Sequence, residues 1–139
     1  MAEQFTNPDD EAIRGLLQRI RTIAVVGLSS KESRPSHGVA RDLQRFGYRV
    51  IPVNPKERAV LGEPAVSDLA DIDEKVDLVD VFRASEHVPA IIDECLELGM
   101  PAIWLQEGVV DEEAAARAER GGMTVVMDRC IFKEHRRLL

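Results

Sequence analysis

The run Ile23-Ala24-Val25-Val26 stops at Gly27, passes into the polar stretch from Leu28 to Arg34, and is followed by an amphipathic pattern starting near Pro35. A short, continuous, β-branched run closed by glycine is the pattern of a strand buried on both faces. Such a strand needs cover on each side.

The motif recurs along the chain. Arg49 to Val53 reads as a second strand, with Pro52 indicating that pairing ends there. Pro64-Ala65-Val66 is at most a short strand. Val76 to Phe82, alternating with acids, Pro101 to Leu105, holding the only tryptophan, and Thr124 to Met127 complete the set.

Helical patterns lie between these runs. Asn7 or Asp9 can cap a first helix carrying Ile13, Leu16, Leu17 and Ile20 at helical spacing. The second runs from Pro35 to Phe46 and ends at Gly47. Ser85 is placed to cap a third, which carries Val88, Ile92, Cys95 and Leu96 and ends at Gly99. Asp111 caps a fourth, closed by Gly121-Gly122, and Cys130 to Leu139 forms a last short helix.

Strands alternating with helices of this length form βαβ units. Right-handed crossovers then give a Rossmann-like, doubly wound α/β domain. It has a mostly parallel sheet of five or six strands and helices on both faces. The 139 residues fit a single domain spanning 1–139.

The formal charge of −7 disfavours nucleic acid as a partner but not one small phosphate ligand, which feels local donors first. Two cysteines, Cys95 and Cys130, give neither a disulfide framework nor a metal set. The acidic N-terminal stretch lacks a basic, then apolar leader, and no run approaches the ~20 apolar residues of a membrane span. A cytoplasmic protein without a membrane partner is expected.

Ligands of doubly wound sheets bind beyond the carboxyl ends of the strands, so the residues just after each strand carry the functional information. The first such loop reads GLSSKESRPSHG, where a dinucleotide fingerprint would read G-x-G-x-x-G. Gly27 supplies the tight turn, while Ser29 stands where a second glycine would be. Ser29, Ser30, Arg34 and Ser36, with Lys31 beside them, can still hold an anion at a helix N-terminus. An ordinary polar loop would look similar.

After the second strand, Val53-Asn54-Pro55-Lys56 offers a lysine where NAD enzymes place an acid for the ribose. That favours a phosphorylated ribose, as in NADP or coenzyme A. Phe82 offers a flat apolar face and Arg83 a cation. Gln106, in the Gln106-Glu107-Gly108 turn, can hydrogen-bond an amide, although it could equally cap a loop.

Catalytic candidates are few. His37 lies in the first turn of a helix, and His87 and His135 read as exposed helix residues. Cys95 falls on an apolar stripe. Cys130, beside Arg129, is the better thiol candidate, though a free cysteine is more often buried and inert. No Ser-His-Asp set, metal cluster or Walker loop is legible, so no catalytic residue is assigned.

The segments VVGLSSKESRPSHGVA, GYRVIPVNPK, VLGEPAVSDLADI, VDLVDVFRASEHVP, AIWLQEGVV and VVMDRC, taken together, resemble the stand-alone CoA-binding domain proteins. The resemblance runs from about Ile13 to Leu138. A more distant one is to the N-terminal domain of the succinyl-CoA synthetase alpha subunit. It implies coenzyme A as cofactor, with phosphates near Gly27, Ser29, Ser30, Arg34 and Ser36, and the nucleotide near Val53, Asn54 and Lys56. Phe82, Arg83, Gln106 and Gly108 would flank the remainder. Ligase chemistry is not implied, because 139 residues leave no room for the second half of such an enzyme.

The resulting expectation is a binder of CoA or acyl-CoA, acting as carrier, sensor or regulatory module. The alternatives are an enzyme acting on a CoA thioester through Cys130 or His37, and an NADP-binding domain. Weak self-association through Leu138 and Leu139 of the last helix, giving a homodimer, is also expected.

Overall fold

The computed structural model describes residues 5–139; the first four residues of the expected 1–139 domain lie outside it. Helix α1 (Asp10–Arg19) is followed by β1 (Thr22–Val26), α2 (Pro35–Arg45) and β2 (Arg49–Val53). A small hairpin, β3 (Ala59–Val60) and β4 (Glu63–Pro64), and a 3-10 turn at Leu69–Asp71 lead to β5 (Leu78–Val81). A second 3-10 turn, Ser85–His87, runs into α3 (Val88–Leu98). Then come β6 (Ala102–Leu105), α4 (Glu112–Arg120), β7 (Thr124–Val126) and α5 (Ile131–Leu138).

Five strands form one sheet in the order β2-β1-β5-β6-β7, every pair parallel. This is the Rossmann-like α/β architecture expected from the alternation. The chain winds outward from β1 to β2, then returns across β1 to start β5 on the other side. The switch point therefore lies between the carboxyl ends of β1 and β5, and ligands of doubly wound sheets enter there.

The two faces carry separate cores. Ile23, Val25, Leu78 and Trp104 pack under α1, α2 and α5 through Ile13, Leu16, Leu17, Leu43 and Ile131. Ala24, Val79, Val81 and Ile103 pack under α3 and α4 through Val88, Ile92, Cys95, Ala115 and Ala118. Trp104 is fully buried and its indole N–H donates to the Arg129 carbonyl at 2.8 Å, so its one polar atom is satisfied.

Helix ends follow the sequence in most places. Asp9, not Asn7, caps α1 by accepting from the Ala12 N–H at 2.9 Å. Asn7 instead exchanges two hydrogen bonds with the Met127 backbone, fastening the start of the chain to the end of β7. Asp111 caps α4 through the Ala114 N–H. Gly47 and Gly99 take positive φ and close α2 and α3.

Pro52 stands one residue before the end of β2, in register with Val25, as expected, and β2 is an edge strand of the sheet, where a missing N–H is tolerated. Other local expectations are corrected. Ser85 caps no helix. Its hydroxyl accepts from Val110 N–H at 2.9 Å and donates to the Gly108 carbonyl at 3.3 Å, bracing the loop after β6. The expected Pro64–Val66 strand is the β3–β4 hairpin followed by a single parallel bridge from Val66 to Val53.

The last helix is less exposed than expected. Leu138 is buried against the core, which leaves Leu139 as the exposed leucine of that end. His135 is half-buried, stacked on Phe46 with ring centroids 3.9 Å apart, and burial pushes its pKa down. His87 is also half-buried, in the 3-10 turn before α3.

Asp80 lies at the centre of the sheet, in register between Val25 and Trp104. It is fully buried, and neither carboxylate oxygen has a hydrogen-bond partner among the described residues. Burial pushes its pKa well above the ordinary carboxylate range.

Candidate functional site

Gly27 fixes the floor of the site. Its φ is +86°, and a Cβ there would stand 2.4 Å from the Phe82 carbonyl oxygen and 3.0 Å from the Arg83 Cδ. The residue is required both for its left-handed backbone and for the closeness of β5 across the switch point. Its N–H donates to the Val53 carbonyl at 2.9 Å, and the Phe82 N–H donates to the Val26 carbonyl at 2.9 Å. The ends of β1, β2 and β5 are thereby stitched into one rigid ledge.

Three concavities lie along this ledge and share lining residues. The middle one, about 580 Å³, is lined by Gly27, Ser29, Ser30, Lys31, Arg34, Val53, Asn54, Pro55, Lys56, Glu57 and Arg83. It is strongly cationic: none of Lys31, Arg34, Lys56 and Arg83 makes an ion pair within 4 Å among the described residues.

The second concavity, about 420 Å³, shares Gly27, Ser29 and Arg34 with the first and continues past Ser36, Val39, Phe82, Gln106, Val109 and Cys130. Its wall is mainly apolar. The third, about 250 Å³, shares Val53, Pro55 and Arg83 with the middle one. It runs over Leu69 and Ile91, with Asp68, His87 and Glu94 at its rim. Burial, and then the neighbouring Asp68, raise the Glu94 pKa.

The loop after β1 is held by its own side chains. The Ser29 N–H donates to Ser36 Oγ at 3.1 Å, and the Lys31 N–H donates to Ser29 Oγ at 3.1 Å. His37, almost buried at the start of α2, has its Nδ1 3.0 Å from the Ser29 carbonyl. That contact ties the ring to the loop backbone, and His37 lines none of the three concavities. Asn54 Nδ2 donates to the Leu28 carbonyl at 3.1 Å and Asn54 Oδ1 accepts from the Lys56 N–H at 3.0 Å, fixing the β2 turn beside the loop.

Eleven of the twelve residues expected from the sequence line this mouth: Gly27, Ser29, Ser30, Arg34, Ser36, Val53, Asn54, Lys56, Phe82, Arg83 and Gln106. Gly108 lines none of the three. Its N–H is taken by Asp128 at 2.8 Å, and it acts in the loop that carries Gln106. Gln106 is 5% exposed, and its Oε1 accepts the Ile131 N–H at 3.2 Å, so it caps the start of α5 while lining the apolar cleft.

Glu57 was not anticipated. It follows β2 by four residues and its Oε2 accepts the Ser30 N–H at 2.7 Å. Hydrogen bonds from Ser30, assisted by the charge on Lys31, hold its pKa below the ordinary range. A glutamate in a turn carries no sequence signal of such a role, because its partner is 27 residues away. The thiols differ sharply: Cys95 is in the core with a pKa pushed up to about 12, whereas Cys130 is 8% exposed at the start of α5 and lines the apolar cleft.

A family model for a CoA binding domain matches residues 21–136, which takes in every element from β1 through most of α5. The chain belongs to the CoA-binding domain family. A solved structure of a hypothetical protein from Pyrococcus horikoshii superposes with a TM-score of 0.91 at 34% identity, covering 98% of each chain. The Bacillus subtilis protein YneT is 46% identical over 129 residues, covering 93% of this chain and 96% of its own. Acetate–CoA ligase (ADP-forming) I of Archaeoglobus fulgidus is 27% identical over 121 residues, and the matched part is 18% of that enzyme. The family thus occurs both as chains of this size and as one part of larger CoA ligases.

Proposed function

We propose that this domain binds coenzyme A or an acyl-CoA across the ends of its strands and presents it without transforming it, as a carrier, sensor or regulatory module. The observation that carries this reading is the chemical order of the three adjacent concavities. Four cations, Lys31, Arg34, Lys56 and Arg83, line the middle beside Glu57, a mainly apolar cleft lies on one side, and a smaller cleft with acceptor carboxylates lies on the other. A CoA molecule has the same order: a diphosphate flanked by an amide-bearing arm and an adenosine phosphorylated on its ribose.

In this arrangement Arg34 and Lys31 face the diphosphate, and Lys56 meets the additional phosphate on the ribose. The arm lies along Val39, Phe82 and Val109, within reach of Gln106. The adenine lies against Leu69 and Ile91, with Asp68 and Glu94 as acceptors for its amino group. Neither metal nor nucleic acid enters the proposal.

Membership of the family supports CoA as the ligand. The ligase activity of the larger relatives is not carried over, because this chain spans under a fifth of the Archaeoglobus enzyme. An NADP-binding domain is the poorer fit, since Ser29 replaces the glycine that lets a dinucleotide approach the backbone. A thioester-handling enzyme is favoured by one observation only, the placement of Cys130 in the arm cleft.

Calorimetric titration tests the reading. CoA is expected to bind and dephospho-CoA to bind more weakly, while added NADPH should show no change in its fluorescence. Equal binding of CoA and dephospho-CoA removes Lys56 from its role. Absence of CoA binding at millimolar ligand overturns the proposal.

A further inference from the structure

The middle concavity already holds one anion, and that anion belongs to the chain. Along the loop after β1, the Ser29 and Lys31 N–H groups are satisfied from within the loop and the start of α2. The Ser30 N–H is different: it is taken by the Glu57 carboxylate, which comes from the turn after β2, at 2.7 Å. That length is typical of a charge-assisted bond. The same carboxylate lines a cleft whose other charged groups are Lys31, Arg34, Lys56 and Arg83.

We propose that the Glu57 carboxylate occupies the position of a ligand phosphate, so that a phosphate must displace it to reach the Ser30 N–H. The proposal rests on the nucleotide reading for the identity of the ligand, while the anion seat is read from the chain itself. Glu57 is half-buried and linked to the body by a flexible side chain, while its own N–H donates to the Asn54 carbonyl at 3.2 Å. The side chain can therefore swing outward without disturbing the turn. The latch sets a threshold. A single weak anion competes poorly with a tethered carboxylate, whereas a diphosphate that also engages Arg34 and Lys56 displaces it.

The alternative role for an acid at this strand end is to accept hydrogen bonds from the ribose hydroxyls. The two roles predict opposite signs for one substitution. As a competitor, Glu57 weakens ligand binding; as a ribose acceptor, it strengthens it.

The test compares the wild type with Glu57→Gln and Glu57→Ala by calorimetric titration with CoA and, separately, with inorganic pyrophosphate, which has no ribose. Both variants are expected to bind both probes more tightly, by roughly threefold to tenfold, since one charge-assisted competitor is removed. Unchanged or weaker binding of both probes overturns the latch. Weaker CoA with unchanged pyrophosphate overturns it as well, in favour of the ribose role. If CoA binds wild type and variants alike, the latch fails and the CoA reading stands. If CoA binds none of the proteins but pyrophosphate gains in the variants, the latch stands and the CoA reading fails.

Discussion

Asp80 should make the protein less stable as pH rises from acid toward neutrality. The carboxyl is fully buried in the central strand between Val25 and Trp104, with neither oxygen hydrogen-bonded among the described residues. Desolvation favours its neutral form, so the folded state keeps a proton that the unfolded chain gives up near pH 4. Above that point, and until the folded-state pKa is reached, folding carries one extra bound proton. Stability then falls by about 1.4 kcal/mol per pH unit from this residue alone.

Asp80→Asn keeps the shape and removes the titration, and Asp80→Val removes the buried polar group as well. Denaturant unfolding of wild type and both variants, at intervals from pH 4 to pH 8, isolates the effect as a difference, because the other carboxylates are common to all three. The variants should gain on the wild type with that slope as pH rises, Asp80→Val being the more stable of the two. Parallel pH profiles for wild type and Asp80→Asn would show that Asp80 titrates alike in both states, and the reasoning would fail.

Other outcomes follow from single contacts. Gly27→Ala places a Cβ 2.4 Å from a backbone carbonyl at a φ of +86°, and should cost at least the ~1–2 kcal/mol of a left-handed alanine while also impairing CoA binding. An unaltered melting curve would contradict the close approach of β5. Iodoacetamide should modify Cys130 before Cys95, with CoA slowing the Cys130 reaction; alkylation indifferent to CoA would remove Cys130 from the arm cleft. Trp104→Ala should cost about 3–5 kcal/mol in denaturant unfolding, since the side chain is wholly buried and its N–H is bonded. With Leu138 buried, any self-association through this end must use Leu139 and the exposed Phe46. Sedimentation showing only monomer at high concentration would exclude it.

β1, β2, β6 and β7 were legible because each is a short apolar run, and β5 because its apolar residues alternate with acids. The helices were legible through Asp9, Asp111, Gly47 and Gly99, whose capping roles are local. What escaped was non-local. The β3–β4 strands have two residues each, too few to show a period. Ser85 looked like a cap because its true partners, Gly108 and Val110, lie more than twenty residues on. Asp80 was visible only as an acid in an alternating strand; its full burial follows from β5 pairing on both sides and being covered on both faces.

The candidate site was read by the rule that strand ends carry the ligand, which placed eleven residues in one mouth. Gln106 shows the limit of that rule. The sequence allowed amide recognition or loop capping, and the side chain caps α5 from within the cleft. The need for glycine at position 27 was legible only as a turn. The greater constraint is the Phe82 carbonyl, which arrives from a strand more than fifty residues later.

Amide chemical-shift mapping during titration with CoA tests the central claim most directly. Shifts should concentrate at Gly27, Ser30, Asn54, Lys56, Arg83 and Gln106 and saturate together at one affinity. Shifts confined to the opposite ends of the strands, around Thr22, Arg49 or Pro101, or no shifts at millimolar CoA, would contradict it.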